Sequence, residues 1–176
     1  MLINLRRALV ASLLFLALLG FGYPLVEVGI GQAAFSATAN GSLTPYGSTL
    51  IGQRWLGPRW FQGRPDSDNP MASGGSNLGP RSEQLVKSTK SQIAALEKMG
   101  IAPTSDLVTS SGSGVDPDIS PRSAFAQVDA VAKARGLAPA TVRALVVSQI
   151  HQAQFGFLGS SYVNVLTLNI SLSRLQ

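Results

Sequence analysis

Residues 6–27 have the sequence RRALVASLLFLALLGFGYPLVE, and this stretch decides the fold. Nineteen consecutive residues within it, Ala8 to Val26, carry no charge and are rich in Leu and Phe. A helix rises about 1.5 Å per residue, so this segment covers about 28 Å, close to the hydrocarbon thickness of a bilayer. The sequence therefore predicts one transmembrane helix near the N-terminus.

The alternative to an anchor is a cleaved signal peptide, which has a shorter apolar stretch of about 7–15 residues. The apolar character here continues past Glu27, which favours the uncleaved anchor. Arg6 and Arg7 precede the span, and the next basic residue is Arg54. The positive-inside rule then places the N-terminus in the cytoplasm. We expect residues 1–34 to form the anchor, with its span at about 8–26, and residues 35–176 to form one extracytoplasmic domain.

Composition excludes several classes of function. The chain has no cysteine and one histidine, His151, which rules out disulfides and thiolate chemistry and leaves no multi-His metal site within one chain. The net charge is +5, but the basic residues are scattered singly, without the runs and interleaved aromatics of nucleic-acid binders. We therefore expect no metal and no nucleic-acid partner.

The remaining chain predicts an α+β domain of about three helices with a small mixed or antiparallel sheet. Apolar residues at helical spacing predict helices at about 81–99, 121–135 and 139–152. A short strand is predicted at Ser48–Gln53, and alternating apolar residues predict a C-terminal strand across 162–172.

Three aromatic residues, Trp55, Trp60 and Phe61, fall within eight positions. Large aromatic side chains dominate core burial, so we interpret them as core anchors. The alternative is that they dock onto a partner or onto lipid headgroups.

Two oxygen-rich loops, 73–80 and 106–120, each lead toward a predicted helix. A Gly/Ser loop before a helix can bind anions through backbone N–H groups, although the Walker spacing and its lysine are missing here. In the structural interpretation, Ser76 or Asn77 caps the first helix, with Pro80 in its first turn, and Ser120 caps the second. The candidate residues for partner or nucleotide contact are Ser73, Gly74, Gly75, Ser76, Asn77, Ser111, Gly112, Ser113, Gly114 and Asp116.

A hydrolase would need Ser110, Ser111 or Ser113 together with His151 and an aspartate. No G-x-S-x-G elbow supports this reading. His151 is interpreted as a cation at the end of the third helix. Asp116 and Asp118 are suited to acid/base or cation chemistry, but near a helix start they serve equally well as capping groups.

Taken in order, these motifs resemble one family, the C subunit of the bacterial Kdp potassium-transporting ATPase. The residues that carry the resemblance are 47–53 (GSTLIGQ), 61–65 (FQGRP), 73–80 (SGGSNLGP), 106–109 (DLVT), 111–120 (SGSGVDPDIS), 134–136 (ARG) and 163–166 (VNVL). One departure is visible: the family commonly has Asp-Pro-His where this chain has Asp116-Pro117-Asp118.

The resemblance implies a non-catalytic accessory subunit of an inner-membrane potassium-uptake complex. Its partners would be a potassium-conducting subunit, a P-type ATPase subunit and a very small fourth subunit, together with membrane lipid. The family role is that of a catalytic chaperone that raises the ATP affinity of the motor subunit. No intrinsic cofactor is implied, and ATP would enter only through the complex.

Topology conflicts with direct contact between this domain and ATP, because a P-type pump binds ATP in the cytoplasm. We therefore expect the domain to cap the external mouth of the potassium-conducting subunit through its two oxygen-rich loops. A periplasmic anion-binding module and an exported hydrolase are the alternatives.

Overall fold

The computed structural model describes residues 2–66 and 69–175. These residues form two compact units, and the division falls between Leu43 and Thr44.

The first unit is dominated by one long apolar helix. It begins with α1 (Leu2–Ala17), continues through a π-helical turn (Leu18–Gly22) into α2 (Tyr23–Ala34), and is followed by the short α3 (Ser36–Ala39). The continuous helix has 33 residues and a mean hydropathy of 2.2, and by length and composition it is able to cross a membrane. This confirms the predicted N-terminal apolar helix.

The π-helical turn lies immediately before Pro24. The Tyr23 N–H donates to the carbonyl of Leu18, five residues back. Proline lacks an N–H and its ring collides with the carbonyl four residues earlier, so one widened turn accommodates it within the helix.

The second unit contains a small antiparallel sheet. After the two-residue strands β1 (Leu43–Thr44) and β2 (Gly47–Ser48), which pair with each other, come β3 (Asp118–Ile119), β4 (Ile150–His151) and β5 (Tyr162–Asn164). The order is β3-β5-β4, with Asp118 opposite Asn164 and His151 opposite Tyr162. The predicted α+β class is confirmed.

Six helices surround this sheet in the described part of the unit. They are α4 (Glu83–Lys98), α5 (Ser105–Val108), α6 (Pro121–Phe125), α7 (Val128–Arg135), α8 (Pro139–Ser148) and α9 (Val165–Ser173). The predicted helix at 81–99 is confirmed with slightly shorter ends. The helix predicted at 121–135 is interrupted at Ala126–Gln127, and the one predicted at 139–152 ends at Ser148.

The core confirms the role assigned to the aromatic residues. Phe61 is fully buried, and Trp55 and Trp60 pack against the same cluster with their ring centroids 5.0 Å apart. The Arg135 guanidinium lies 5.0 Å from the Trp60 ring centroid. Helices and strands across the unit supply the rest of the core, including Leu96, Leu107, Val128, Val142, Val163 and Leu168.

The C-terminal strand prediction is wrong beyond its first residues. Only Tyr162–Asn164 is extended, and the chain then enters α9, capped by the Asn164 side chain, which accepts from the Thr167 N–H. The buried positions of α9 include Val165, Leu168, Asn169 and Leu172, which is helical spacing. Asn169 belongs to the buried face, whereas the alternating pattern placed it outside.

The strand predicted at Ser48–Gln53 is also largely wrong. Only Ser48 lies in β2, and the chain turns immediately after it. A single bond from the Gly52 N–H to the Val115 carbonyl, 2.8 Å, then holds this segment to the second oxygen-rich loop.

Two buried side-chain amides hold the segment that contains Phe61. Asn169 accepts from the Phe61 N–H and donates to the Phe61 carbonyl, both at 2.9 Å. Gln127 accepts from the Gln62 N–H at 2.7 Å and donates to the Gln62 carbonyl at 3.0 Å. Both amides are fully buried and replace the strand partners that these backbone groups lack.

We expect the near-isosteric change Asn169→Leu to lower the free energy of unfolding by roughly 2–5 kcal/mol, because it leaves the Phe61 N–H and carbonyl unpaired at about 1–3 kcal/mol each. Denaturant titration of the full chain in detergent, followed by the fluorescence of Trp55 and Trp60, measures this loss. Ser173→Ala, at an exposed position of α9, is the control. Equal stability of the two variants would contradict the assigned role of Asn169.

Candidate functional site

The two oxygen-rich loops lie against each other. The Gly74 N–H donates to the Ser113 carbonyl at 2.7 Å, and the Ser73 hydroxyl donates to the same carbonyl at 3.0 Å. Residues 73–75 and 111–116 therefore form one surface, which we call the paired loops.

Glycine permits this close approach. A Cβ on Gly114 would lie 2.3 Å from the Gly74 carbonyl oxygen, and one on Gly75 would lie 2.8 Å from that of Gly112. Gly114 also has a φ of +68°, in the left-handed region that glycine adopts without strain. Two of the glycines are thus required by backbone contact between the loops.

The Asp66 carboxylate organises the second loop. It accepts from the Ser111 N–H at 2.6 Å, from the Ser111 hydroxyl at 2.7 Å and from the Asp116 N–H at 2.9 Å. The Ser111 hydroxyl in turn accepts from the Gly114 N–H at 2.9 Å. A single carboxylate therefore sets the shape of residues 111–116.

Arg64 connects this loop to the segment before it. Its Nε lies 2.9 Å from Asp116 Oδ2, off the direction of the N–H, so the contact is an ion pair rather than an aligned hydrogen bond. Its Nη2 lies 3.6 Å from Asp106 Oδ1. Because these side chains are partly exposed, the pairs contribute more to geometry than to stability.

Asp106 holds the start of α6. Its Oδ2 accepts from the Ser120 N–H and from the Ser123 hydroxyl, both at 2.8 Å. Burial alone would raise the pKa of Asp106, but the hydrogen bonds from Ser120 and Ser123 and the charge of Arg64 outweigh it and lower the pKa below its usual value. The carboxylate is thus held in its ionised form.

Helix capping follows the prediction at one loop and departs from it at the other. Ser120 caps α6 by accepting from the Ser123 N–H, as predicted. The cap of α4 is Ser82, which accepts from the Leu85 N–H, so the capping role predicted for Ser76 or Asn77 and the first-turn role predicted for Pro80 are wrong. The first loop therefore ends before α4 begins and does not cap it.

Ser76 and Asn77 lie at the exposed end of the first loop. Ser76 accepts from the Leu78 N–H at 3.5 Å, and Asn77 has a φ of +53°. Of the predicted site residues, Ser73, Gly74, Gly75, Ser111, Gly112, Ser113, Gly114 and Asp116 are brought together in the paired loops.

Asp118 lies on β3 rather than at a helix start. Its carboxylate accepts from the Asn164 amide at 2.9 Å, and its own N–H donates to Asp116 Oδ1 at 3.0 Å. The capping role predicted for these two aspartates is therefore wrong. Burial, with a smaller contribution from the charge of Asp116, raises the pKa of Asp118, while the Asn164 hydrogen bond and His151 oppose the shift.

His151 also departs from its predicted place. It lies on β4 and stacks on Tyr162, with the ring centroids 4.9 Å apart, so it is not a helix-terminal cation. The Ser111 hydroxyl, which the hydrolase hypothesis paired with an imidazole, is hydrogen-bonded to Asp66 instead. A serine that donates to a carboxylate in this way lacks the imidazole base of a Ser-His pair.

An anion at the paired loops would meet five of their nine backbone N–H groups already engaged in other hydrogen bonds. Backbone N–H groups of five residues are bonded within the unit, namely Gly74, Ser111, Gly114, Val115 and Asp116. Two carboxylates, Asp66 and Asp116, lie beside them. This arrangement favours a rigid polar surface over an anion cradle.

Sequence reasoning missed Arg64, Asp66 and Asp106 as site residues. Arg64 stood inside the 61–65 motif, and Asp106 began the 106–109 motif, so a signal was present for both. Asp66 follows that first motif directly, but nothing local ties it to a loop 45 residues away.

A cavity of about 410 Å³ opens next to the Arg64–Asp116 ion pair. Trp55, Gln53 and Gln92 line it together with Asp66. The paired loops are therefore flanked by a concave surface of mixed polar and apolar character.

Comparison with known proteins gives the same family as the motifs. A family model described as "KdpC: K+-transporting ATPase, c chain" matches residues 5–174. The chain belongs to this family. The resemblance drawn from the motifs is confirmed, and so is the expectation of a subunit of a transport ATPase rather than an enzyme on its own.

Individual KdpC proteins match over nearly the full length. The chain is 47% identical to the potassium-transporting ATPase KdpC subunit of Caulobacter vibrioides, over 98% of this chain and 93% of the relative. The corresponding subunits of Sorangium cellulosum and Paraburkholderia phytofirmans are 47% and 45% identical, each over 98% of both chains.

The contact between the loops can be tested with two glycines of nearly equal φ. Gly114 and Gly136 have φ values of +68° and +70°, but a Cβ on Gly136 meets nothing within 4 Å. Alanine at either position costs about 1–2 kcal/mol for the left-handed backbone. We expect Gly114→Ala to cost about 1–3 kcal/mol more than Gly136→Ala, measured by denaturant titration, because only that variant overpacks the loops. Equal losses of unfolding free energy in the two variants would show that the loops do not depend on the close contact at Gly114.

The raised pKa of Asp118 predicts a pH dependence. Between the unfolded pKa of about 3.9 and the higher folded value, the folded state binds more protons, so stability falls as pH rises through this window. Asp118→Asn keeps an acceptor for Asn164 and removes the charge, so we expect it to be more stable than the wild type at pH 7 and equal to it below the unfolded pKa. Thermal unfolding at both pH values, with the exposed Asp129→Asn as control, measures the effect. A destabilised Asp118→Asn at pH 7 would reverse the assigned sign.

Proposed function

We propose that this chain is the non-catalytic accessory subunit of a potassium-transporting ATPase in the inner membrane. The N-terminal helix anchors it with Arg6 and Arg7 in the cytoplasm, and the second unit lies outside. There it stabilises the complex by docking the paired loops over the external mouth of the potassium-conducting subunit. Family membership supports the complex, and the charge distribution supports the orientation.

The observation that carries the docking surface is the internal bonding of the paired loops. Their shape is set by Asp66, by the Gly74–Ser113 bond and by the Arg64–Asp116 ion pair. A surface whose hydrogen bonds are already made needs little ordering when a partner binds, which reduces the entropic cost of association. Serine and asparagine side chains at its exposed edge remain able to bond across an interface.

The same bonding argues against a nucleotide in these loops. A triphosphate would meet two carboxylates and backbone N–H groups that already donate elsewhere. With the second unit outside, ATP bound to the motor subunit would lie across the membrane. The contribution of this chain to ATP affinity is therefore indirect, through its effect on the subunits that it contacts.

The absence of cysteine allows one experiment to test both orientation and docking. A single cysteine replaces the exposed Ser76 at the edge of the paired loops, and a control cysteine replaces Ala140 on α8. Spheroplasts are treated with a membrane-impermeant maleimide, with the chain expressed alone or with the other subunits. We expect both cysteines to be labelled in the chain alone and only Ser76→Cys to become protected in the complex.

Each outcome separates the parts of the proposal. If the cysteines were labelled only after the membranes had been permeabilised, the second unit would lie in the cytoplasm. That result would overturn the external orientation and allow direct contact between the second unit and ATP. External labelling of Ser76→Cys that is unchanged in the assembled complex would retain the orientation and overturn the docking face.

A further inference from the structure

The connection between β4 and β5 projects as a narrow hairpin. Residues 152–161 (QAQFGFLGSS) link the two strands, and Gln154 pairs with Leu158 in an isolated antiparallel bridge. The base of the hairpin is held by the ladder between β4 and β5 and by the stack of His151 on Tyr162. The three-residue turn Phe155-Gly156-Phe157 therefore lies at the end of a hairpin whose base is held in place.

The tip of this hairpin is apolar and exposed. Phe155, Phe157 and Leu158 are 87%, 75% and 49% exposed, and no residue from 152 to 161 carries a charge. Phe155 has a φ of +53°, a conformation that is costly for a bulky side chain. A strained backbone that presents an aromatic ring to the outside indicates a contact surface.

Four of the five backbone N–H groups of residues 154–158 are hydrogen-bonded within the hairpin. The Gln154 and Leu158 N–H groups donate to each other's carbonyls at 3.0 and 2.9 Å, the Gly156 N–H donates to Ala153 at 3.0 Å, and the Phe157 N–H donates to Gln154 at 3.2 Å. Lipid offers no partners to backbone groups, so a segment that enters it must bond internally.

A short connection tethers the second unit to the apolar helix. Nine residues, 35–43, separate the end of α2 from the start of the second unit, and even fully extended they span only about 32 Å. A unit held so close to the membrane by its own span meets the lipid surface at high effective concentration.

We propose that Phe155, Phe157 and Leu158 insert into the interfacial region of the lipid bilayer and form a second, shallow membrane contact of this chain. Apolar and aromatic side chains bind at this depth through buried apolar area. The contact limits the rotation of the second unit about its tether. It does not depend on which partner subunit the paired loops meet.

A fluorophore at the tip tests the insertion. Phe157→Cys in the full chain is labelled with an environment-sensitive dye and reconstituted in vesicles of phosphatidylethanolamine and phosphatidylglycerol that contain a nitroxide-labelled lipid. Ala140→Cys carries the same dye as the control. We expect several-fold stronger quenching by the lipid nitroxide at position 157 than at position 140, and weaker quenching by iodide.

Four results would overturn the proposal. Equal lipid quenching at both positions, or quenching at position 157 by iodide alone, would place the tip in water. Protection from both quenchers in the assembled complex would show that a protein subunit covers the tip instead. In a further variant the dye is attached at Leu158→Cys, and Phe155→Ser and Phe157→Ser remove the two aromatic rings. We expect this variant to lose the quenching by the lipid nitroxide. If the quenching persisted, the dye itself, and not the tip, would be responsible for the insertion.

Discussion

The second unit depends on the pairing of one backbone segment with two side-chain amides. Phe61 and Gln62 lie in the core without a neighbouring strand, and Asn169 and Gln127 supply the four hydrogen bonds that a strand would have made. Unpaired backbone groups in this environment would be costly, so the two amides decide where the segment lies. Arg64 follows two residues later, so the hydrogen bonds of this segment also determine where Arg64 lies relative to Asp106 and Asp116.

The same pairing explains the main error of the fold prediction, which was a C-terminal strand in place of α9. In α9 Asn169 lies on the buried face together with Val165, Leu168 and Leu172, whereas a polar residue is normally assigned to the outer face. When Asn169 is taken as exposed, the apolar residues from Leu166 to Leu172 alternate with polar ones and indicate a strand. The class, the long N-terminal helix and the helix at 83–98 could be predicted because their patterns are local. A polar residue buried to serve a segment 108 residues away leaves no local signal.

The site shows a similar division between local and distant information. Serine and glycine in two loops indicated backbone contact or anion binding, and the structure shows that glycine serves the first, since Gly114 allows the Gly74 carbonyl to approach. The choice between these uses depended on Asp66, whose carboxylate occupies the N–H groups of the second loop. An oxygen-rich loop is therefore ambiguous from sequence until the acceptor for its N–H groups is known.

The environment of Asp118 is set by the pairing of the three-stranded sheet. Asp118, Asn164, Tyr162 and His151 occupy paired positions on one face of β3-β5-β4, whereas Ile119 and Val163 occupy the core face. On that face the burial of Asp118 and the repulsion from Asp116 raise the pKa of its carboxyl group, and they outweigh the hydrogen bond from Asn164 and the attraction of His151. The same strand pairing that places Asp118 beside Asn164 therefore buries its carboxyl group and disfavours the charged form.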